Sequence, residues 1–319
     1  MACGHAGFVR IAARAKIGKV NAVSSAIFQL GDLRAIIGDN SAEGQHRAGY
    51  NGVWSLSHKA EPDNLFVPAV AGLNFEHIFD GHTGTTRELL FEPRNAPMEL
   101  KQLSDASAEL HQPPTPFFGL ESWTTFTLRA PHYVDMHFRC RATKHAFMGG
   151  IIGLFWASYL SAPENKSIYF RGRFPNAQRT HWIQAMTQWH NDESTFLHLS
   201  DTTQLKLAAD YPNMLFTNFS KLRYDEPFYY GLRGKMVYIV MFEDAVVSVR
   251  NDRPTIRFSH SPSGGGGTPD GSDTNPAWDF QFIIPRYEVG KEYGFKARVA
   301  YKPYLGRDDV VEEFRRWKG

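Results

Sequence analysis

The sequence predicts an all-β protein, a large antiparallel β-sandwich with few short helices. Three observations carry the prediction. Apolar and polar residues alternate with period two along many segments, strand–helix alternation does not recur, and aromatic residues reach 14% of 319. A strand turns successive side chains to opposite faces, so alternation places one row against a core and the other against solvent or ligand. The 24 Phe, 13 Tyr and 7 Trp suit half-buried pleated surfaces and also platforms for sugar rings. A doubly wound α/β sheet needs repeated strand–helix units and is disfavoured.

The length is enough to bury a large core, and one sandwich domain is expected over 1–319. Residues 1–20 read as an N-terminal extension. Arg10, Arg14 and Lys16 interrupt any apolar signal region there. Residues 26–29 and 33–37 flank Leu30-Gly31-Asp32 as a hairpin, and 98–103 and 106–111 flank Ser104-Asp105 in the same way. Further strands are expected at 125–129, 151–160, 167–171, 214–219, 236–242, 255–260, 280–285 and 293–301. In the last of these Tyr293, Phe295, Ala297, Val299 and Tyr301 form one face. Two helices are expected. Over 177–189, Trp182, Ile183, Met186 and Trp189 stand at helical spacing; over 308–317, Asp308 or Asp309 caps a stripe of Val310, Val311, Phe314 and Trp317. Residues 261–275, with four consecutive glycines, read as a flexible surface loop. No Gly-Lys-Ser/Thr follows them, so no phosphate loop is present and no cofactor is expected.

The formal charge is +2 with no basic stripe, which argues against a nucleic-acid partner. No apolar run approaches the ~18 residues of a membrane-spanning helix. Cys3 and Cys140 cannot build a disulfide framework, and a reduced, cytoplasmic protein is expected.

Chemistry is suggested in four places. Tyr133, Asp135, His137 and Arg139 share one face of an extended segment whose other face is Val134, Met136, Phe138 and Cys140. Asp, His and Arg in one row suit a sugar or an acid, against the plainer reading of a wet strand with local ion pairs. His46, Arg47 and Asn51 lie in a Gly-rich loop free to converge on a ligand. His77 shares a face with Phe75 and Phe79 if extended, with Glu76 and Asp80 opposite; such a histidine is more often a bonded core residue than a catalyst. Trp182, Trp189 and His190, next to Asn191 and Asp192, make an aromatic platform with polar edges, or a helix docking its tryptophans. Glu76, His77, Asp80 and His82 are possible metal ligands, but they lack His-Glu-x-x-His spacing and the metal is left unassigned. No Gly-x-Ser-x-Gly elbow occurs. A carboxylate pair for glycoside hydrolysis stays open among Glu121, Asp135, Asp192, Glu226 and Asp279.

The order of these features resembles the galactose mutarotase-like supersandwich, the fold of aldose epimerases and of the β domains of several polysaccharide lyases. That resemblance implies a carbohydrate or sugar-acid ligand. Arg47 and Asn51 would stand for the epimerases' early Asn-Arg pair in altered order, and His137 or His190 for their middle histidines. The late glutamate has no counterpart: Glu288, Glu292, Glu312 and Glu313 sit in turn or helix contexts, and Asp279 is the substitute. The resulting expectation is proton transfer at a sugar carbon, as in an epimerase or β-eliminating lyase. His46, His77, His137 and His190 are the catalytic candidates. Arg47, Asn51, Asp135, Arg139, Trp182, Trp189 and Asp279 would bind substrate, and His46 and Arg47 should approach the face carrying His137. The rival classes are a non-catalytic sugar-binding protein and a jelly-roll hydrolase with a carboxylate pair.

Overall fold

The computed structural model describes residues 23–83, 86–243 and 253–319. The expected extension at 1–20 and Cys3 lie outside them. In chain order the elements are β1 (Ser25–Leu30), β2 (Leu33–Gly38), β3 (Gly52–His58), β4 (Asn74–Phe79), the short helices α1 (Arg87–Leu90) and α2 (Glu92–Asn95), β5 (Glu99–Ser104), β6 (Ser107–Gln112), β7 (Leu120–Arg129) and β8 (Tyr133–Ala142). Then follow β9 (Ile151–Ala157), β10 (Ile168–Arg173), β11 (His181–Ala185), β12 (Thr195–His198), β13 (Phe219–Arg233), β14 (Met236–Phe242), β15 (Thr255–Ser261), β16 (Ala277–Pro285), β17 (Glu292–Pro303) and α3 (Arg307–Lys318). Strands β1–β3 form one small sheet. The rest form a 14-stranded sheet whose main path runs β4-β9-β16-β15-β12-β13-β14-β17-β8-β7-β6-β5. Pairing is antiparallel except between β12 and β13. Both predicted hairpins form. Gly31 turns the first with φ +62°, and a Cβ there would meet the Pro131 carbonyl oxygen at 2.3 Å.

The long sheet folds over so that its two ends pack face to face. Trp156 on β9 lies 4.7 Å from Phe138 on β8 and 5.2 Å from Phe295 on β17, ring centroid to centroid. Phe242 on β14 meets Phe280 on β16 at 4.9 Å. Strands β9, β14, β15 and β16 are buried on both faces; β9 and β14 accordingly read as continuous apolar runs, while β15 and β16 bury polar residues such as Arg257, Ser259, Asp279 and Gln281 on one face. Their second faces are covered from outside. Phe314 and Val310 of α3 close over Phe228, Tyr230, Val237 and Ile239. On the other side, Leu215, Phe216 and Leu90 close over Phe79, Phe155 and Ala157.

Two expectations about helices need correction. Residues 177–189 are not a helix. Segment 181–185 is β11, paired with β10, because Trp182 and Ile183 serve opposite faces: Ile183 enters the core and Trp182 packs on Phe228 and Tyr230. Met186 and Trp189, which completed the helical spacing, are exposed. The N-cap of α3 is Gly306, and Asp308 and Asp309 instead sit in the first turn, where negative charge suits the helix dipole. Between β15 and β16 the Gly-rich segment is held by its own backbone: Gly267 bridges Thr274, and Thr268 N–H donates to the Asp273 carbonyl at 2.9 Å.

The β8 alternation is as expected, with Val134, Met136, Phe138 and Cys140 buried and Asp135, His137 and Arg139 turned outward. The outward row is an ion-pair surface. Asp135 accepts from Arg129 Nε at 2.6 Å and from Arg298 Nε at 2.6 Å, while Arg139 donates to Glu292 at 3.2 Å. Met136→Ala should therefore cost about 3 kcal/mol by cavity formation, against ~0.5 kcal/mol or less for His137→Ala, in urea unfolding of both variants. Equal losses would place the period wrongly.

Helix α3 is fastened by a buried cluster. Glu313 accepts from Lys302 Nζ at 2.6 Å and from the Tyr133 hydroxyl at 2.6 Å, with His132 at 3.6 Å. Burial alone would raise the Glu313 carboxyl, but His132, Lys302 and Tyr133 outweigh it and hold the group far below its ordinary 4.5. A depressed carboxyl stabilises the fold fully above its unfolded value and progressively less as pH falls below it. Glu313→Gln should thus cost about 3 kcal/mol at neutral pH and flatten the acid side of the stability curve. An unchanged acid limb would refute the assignment.

Candidate active site

On the outer face of the β4-β9-β16 end lies a cavity of about 540 Å³. Its position follows from strand periodicity. Trp156 and Phe280 point inward, stacked at 5.1 Å, so Phe155 and Ala157 on β9 and Ala277 and Asp279 on β16 point out into the cavity. On β4 the alternation breaks. Phe75 pairs with Trp156 and His77 with the adjacent Phe155, leaving Glu76 as the extra residue of a bulge. A bulge lets two successive side chains serve one face. Glu76 and His77 both line the cavity, while Phe75 and Ile78 stay in the core.

The walls come from three connections. Segment 199–218 between β12 and β13 supplies Met214, Leu215 and Phe216. It is anchored by Asp201, which accepts from Arg257 Nε at 2.7 Å with both side chains fully buried. Helices α1 and α2 supply Leu90, Phe91 and Arg94. The loop before β3 supplies Tyr50, and His190, Asn191 and Gly264 stand at the remaining edge.

Glu76 is held by one oxygen. Its Oε1 accepts from Arg94 Nη1 at 3.0 Å and from the Tyr159 hydroxyl at 2.6 Å, whereas its Oε2 lies 3.9 Å from His77 Nε2. Arg94 also donates through Nε to the Gly49 carbonyl at 2.9 Å and stacks on the Tyr50 ring at 3.9 Å, tying the loop to the cavity. His77 is caged by Phe91, Phe155 and Phe216. Its Nδ1 lies 3.2 Å from the Leu90 carbonyl, which can only accept, so Nδ1 carries the proton and Nε2 keeps its lone pair. Burial lowers the imidazole to about 4, so the ring is neutral at physiological pH.

Asp279 has the opposite environment. It is 1% exposed, and Oδ1 accepts from Ser158 N–H at 3.0 Å. Its Oδ2 has no hydrogen-bond partner among the described residues. Burial pushes this carboxyl well above its ordinary value, and the charge of Glu76 adds to the rise. One cavity thus presents a carboxylate fixed by a guanidinium and a carboxyl that favours its proton.

No protein-family model and no curated protein matches the sequence. Among solved structures, a candidate aldose 1-epimerase from Escherichia coli K12 superposes with a TM-score of 0.50 at 9% identity, covering 88% of this chain and 99% of that one. The fold is the galactose mutarotase-like supersandwich. An aldose epimerase homologue from C. elegans aligns at TM-score 0.46 and 8% identity over 88% of this chain and 99% of its own. A mutant heparan sulfate lyase from Pedobacter heparinus aligns at 0.47 and 9% over 90% of this chain and 36% of its own.

Within this supersandwich the residues singled out from sequence separate into groups. His77, His190 and Asp279 share the cavity. His46 stacks on Trp54 at 3.6 Å, and its Nε2 lies 2.7 Å from the Tyr50 carbonyl, so it shapes the loop that presents Tyr50. Arg47 lies over the Tyr50 ring at 5.6 Å, on the exposed side. Asn51 clamps β4, accepting from Phe75 N–H at 3.1 Å and donating to its carbonyl at 2.9 Å. Trp182 lies near α3, with Arg307 at 5.4 Å from its ring. Trp189 is exposed beside the cavity and outside it. Asp135, His137 and Arg139 face away from Phe138, and Asp279 faces away from Phe280. The two polar sets therefore occupy opposite outer faces of the sandwich, and the expected convergence of His46 and Arg47 on His137 does not occur. Their loop serves the other face.

Sequence reasoning missed Glu76, Arg94, Tyr159 and Tyr50 as cavity residues. Strict alternation turned Glu76 away from His77, and only the bulge reverses that. Among the described residues no group of three His, Cys, Asp or Glu is placed to hold a metal. Asp80 is engaged by His82 N–H at 2.9 Å, Thr83 Oγ1 at 2.6 Å and Gly149 N–H at 2.9 Å.

The His77 environment is testable by NMR. Its ring should be the Nδ1–H tautomer and titrate with a midpoint of about 4. Because the folded value lies below the unfolded 6.5, its contribution to stability is complete above that pH and declines as pH falls towards 4. His77→Phe should remove this decline. A midpoint at or above 6.5 would contradict the cage.

Proposed function

We propose that the protein is a carbohydrate-active enzyme that exchanges the configuration of a sugar by paired proton transfer in this cavity. The observation that carries the reading is the pairing of Asp279, a buried carboxyl favouring its proton, with Glu76, a carboxylate fixed at one oxygen and open at the other. Glu76 Oε2 takes a proton from the sugar's anomeric hydroxyl, and Asp279 Oδ2 gives one to the ring oxygen. The ring opens, the carbonyl face rotates, and the reverse transfers close the other anomer. Neutral His77 and the Asn191 side chain orient the sugar, and Phe91 and Phe216 offer apolar surface to a ring face. The volume falls within the roughly 300–1,000 Å³ of small-molecule sites. β-Elimination is less well supported, because it requires a cation against a uronate carboxylate and Arg94 is already paired with Glu76. Arg87 stands exposed at the rim over the Phe91 ring at 4.9 Å, which keeps sugar acids within the substrate class. The same carboxyl pair also suits glycoside hydrolysis, which uses one protonated acid and one carboxylate.

Polarimetry of freshly dissolved aldoses and uronic acids tests the proposal, with reducing-end release measured alongside. Asp279→Asn and Glu76→Gln should each lower kcat/KM by about 10²–10⁴ with the fold retained. Asp279→Asn should also leave stability at neutral pH equal or higher, since it removes a desolvated carboxyl and keeps the Ser158 bond. Full turnover in both variants would defeat the mechanism, and release of reducing ends without anomer exchange would favour hydrolysis.

A further inference from the structure

The cavity does not end at His190. That residue also lines a second, more open groove of about 840 Å³, bounded by Met186, Gln188, Trp189, Asn165 and Ser263. Three consecutive residues bridge the two spaces. Asn191 lines the cavity, His190 belongs to both, and Trp189 lies in the groove. The bridge is fixed by hydrogen bonds. His190 Nδ1 lies 2.9 Å from Ser261 Oγ, and the Asn191 amide donates to the Asn213 carbonyl at 3.0 Å with its backbone at φ +64°. Asn191 Oδ1 is buried without a partner among the described residues, as a waiting acceptor would be.

The groove has the composition of a sugar-binding surface. Trp189 is 59% exposed and Met186 60% exposed, in a chain whose other tryptophans described above pack against the protein. An indole face held in solvent is costly unless something covers it, and the apolar face of a pyranose ring is a natural cover. Gln188 and Asn165 surround it with groups able to bond ring hydroxyls.

We infer that the substrate is an oligosaccharide, whose terminal residue occupies the cavity while the next residue stacks on Trp189 in the adjoining groove. The inference rests on the carbohydrate reading above and adds the length of the substrate. His190, at the junction, then lies beside the glycosidic linkage between the two residues.

The test compares each monosaccharide with its linear tetramer by calorimetry, using the full chain carrying Asp279→Asn to block turnover. The pairs are glucose with maltotetraose and cellotetraose, mannose with mannotetraose, xylose with xylotetraose, and galacturonic acid with its tetramer. At least one tetramer should bind about tenfold more tightly than its monosaccharide. Adding W189A should bring that ratio close to one, and adding W189F should restore most of it. The inference falls if monosaccharide and tetramer bind alike, or if the ratio survives W189A. Binding of monosaccharides with no gain from length would sink this inference alone. Failure of every sugar in the panel to bind would sink it together with the carbohydrate reading.

Discussion

The aromatic stack around Trp156 decides where everything else in the molecule points. Trp156 lies 4.9 Å from Phe75, 4.7 Å from Phe138, 5.1 Å from Phe280 and 5.2 Å from Phe295, so it joins four strands drawn from both layers. Strands have two faces, and a ring committed inward commits its neighbours outward. Once Phe280 stacks on Trp156, Asp279 must leave the core. Once Phe138 packs edge-on against the same ring, His137 must face the opposite exterior. A one-residue slip of β16 would send Asp279 into the aromatic core, where nothing could solvate it. The packing of large rings between the layers is thus also what sets the register of the chemistry outside them.

The exterior beyond this core is not equally finished. Over β13 and β14 the outer face is sealed by α3, with Glu313, Lys302 and Tyr133 closing the seam. Over β4, β9 and β16 the cover is assembled from short helices and the long 199–218 connection. These meet imperfectly and leave the cavity. The difference lies in the covering elements: α3 is one continuous amphipathic helix, whereas α1 and α2 are single turns joined at Phe91. Irregular cover over a rigid sheet is where polar groups can be held without water and without a complete set of partners.

Much of this architecture was legible because period-two alternation is local. The β8 row, the two hairpins, the β17 alternation and the terminal helix could be read from neighbouring residues alone. Asp279 could be singled out as a late carboxyl, and His77 and His190 as candidate histidines. What stayed hidden was non-local. Which outer face a polar row occupies depends on the stacking of rings far apart in sequence, so Asp135, His137 and Arg139 looked as promising as the cavity residues. Glu76 was hidden by a bulge that only its pairing with β9 reveals. The 177–189 segment misled because Trp182, Met186 and Trp189 match helical spacing for unrelated reasons: one packs near α3 and two face solvent.

The two carboxyl groups carry opposite costs. Glu76 is stabilised by the partners that fix it, so the fold gains from keeping it. Asp279 has been taken out of water with one oxygen unbonded, and a fold selected for stability alone would replace it with an asparagine or an apolar residue. Ser158 N–H would donate equally well to a carboxyl or an amide oxygen, so the bond does not explain the acid. Desolvation favours the protonated form of this carboxyl, and a carboxyl that favours its proton in the same cavity as a carboxylate suits acid–base chemistry. The local loss of stability at Asp279 is therefore the observation that supports the acid–base role proposed for it.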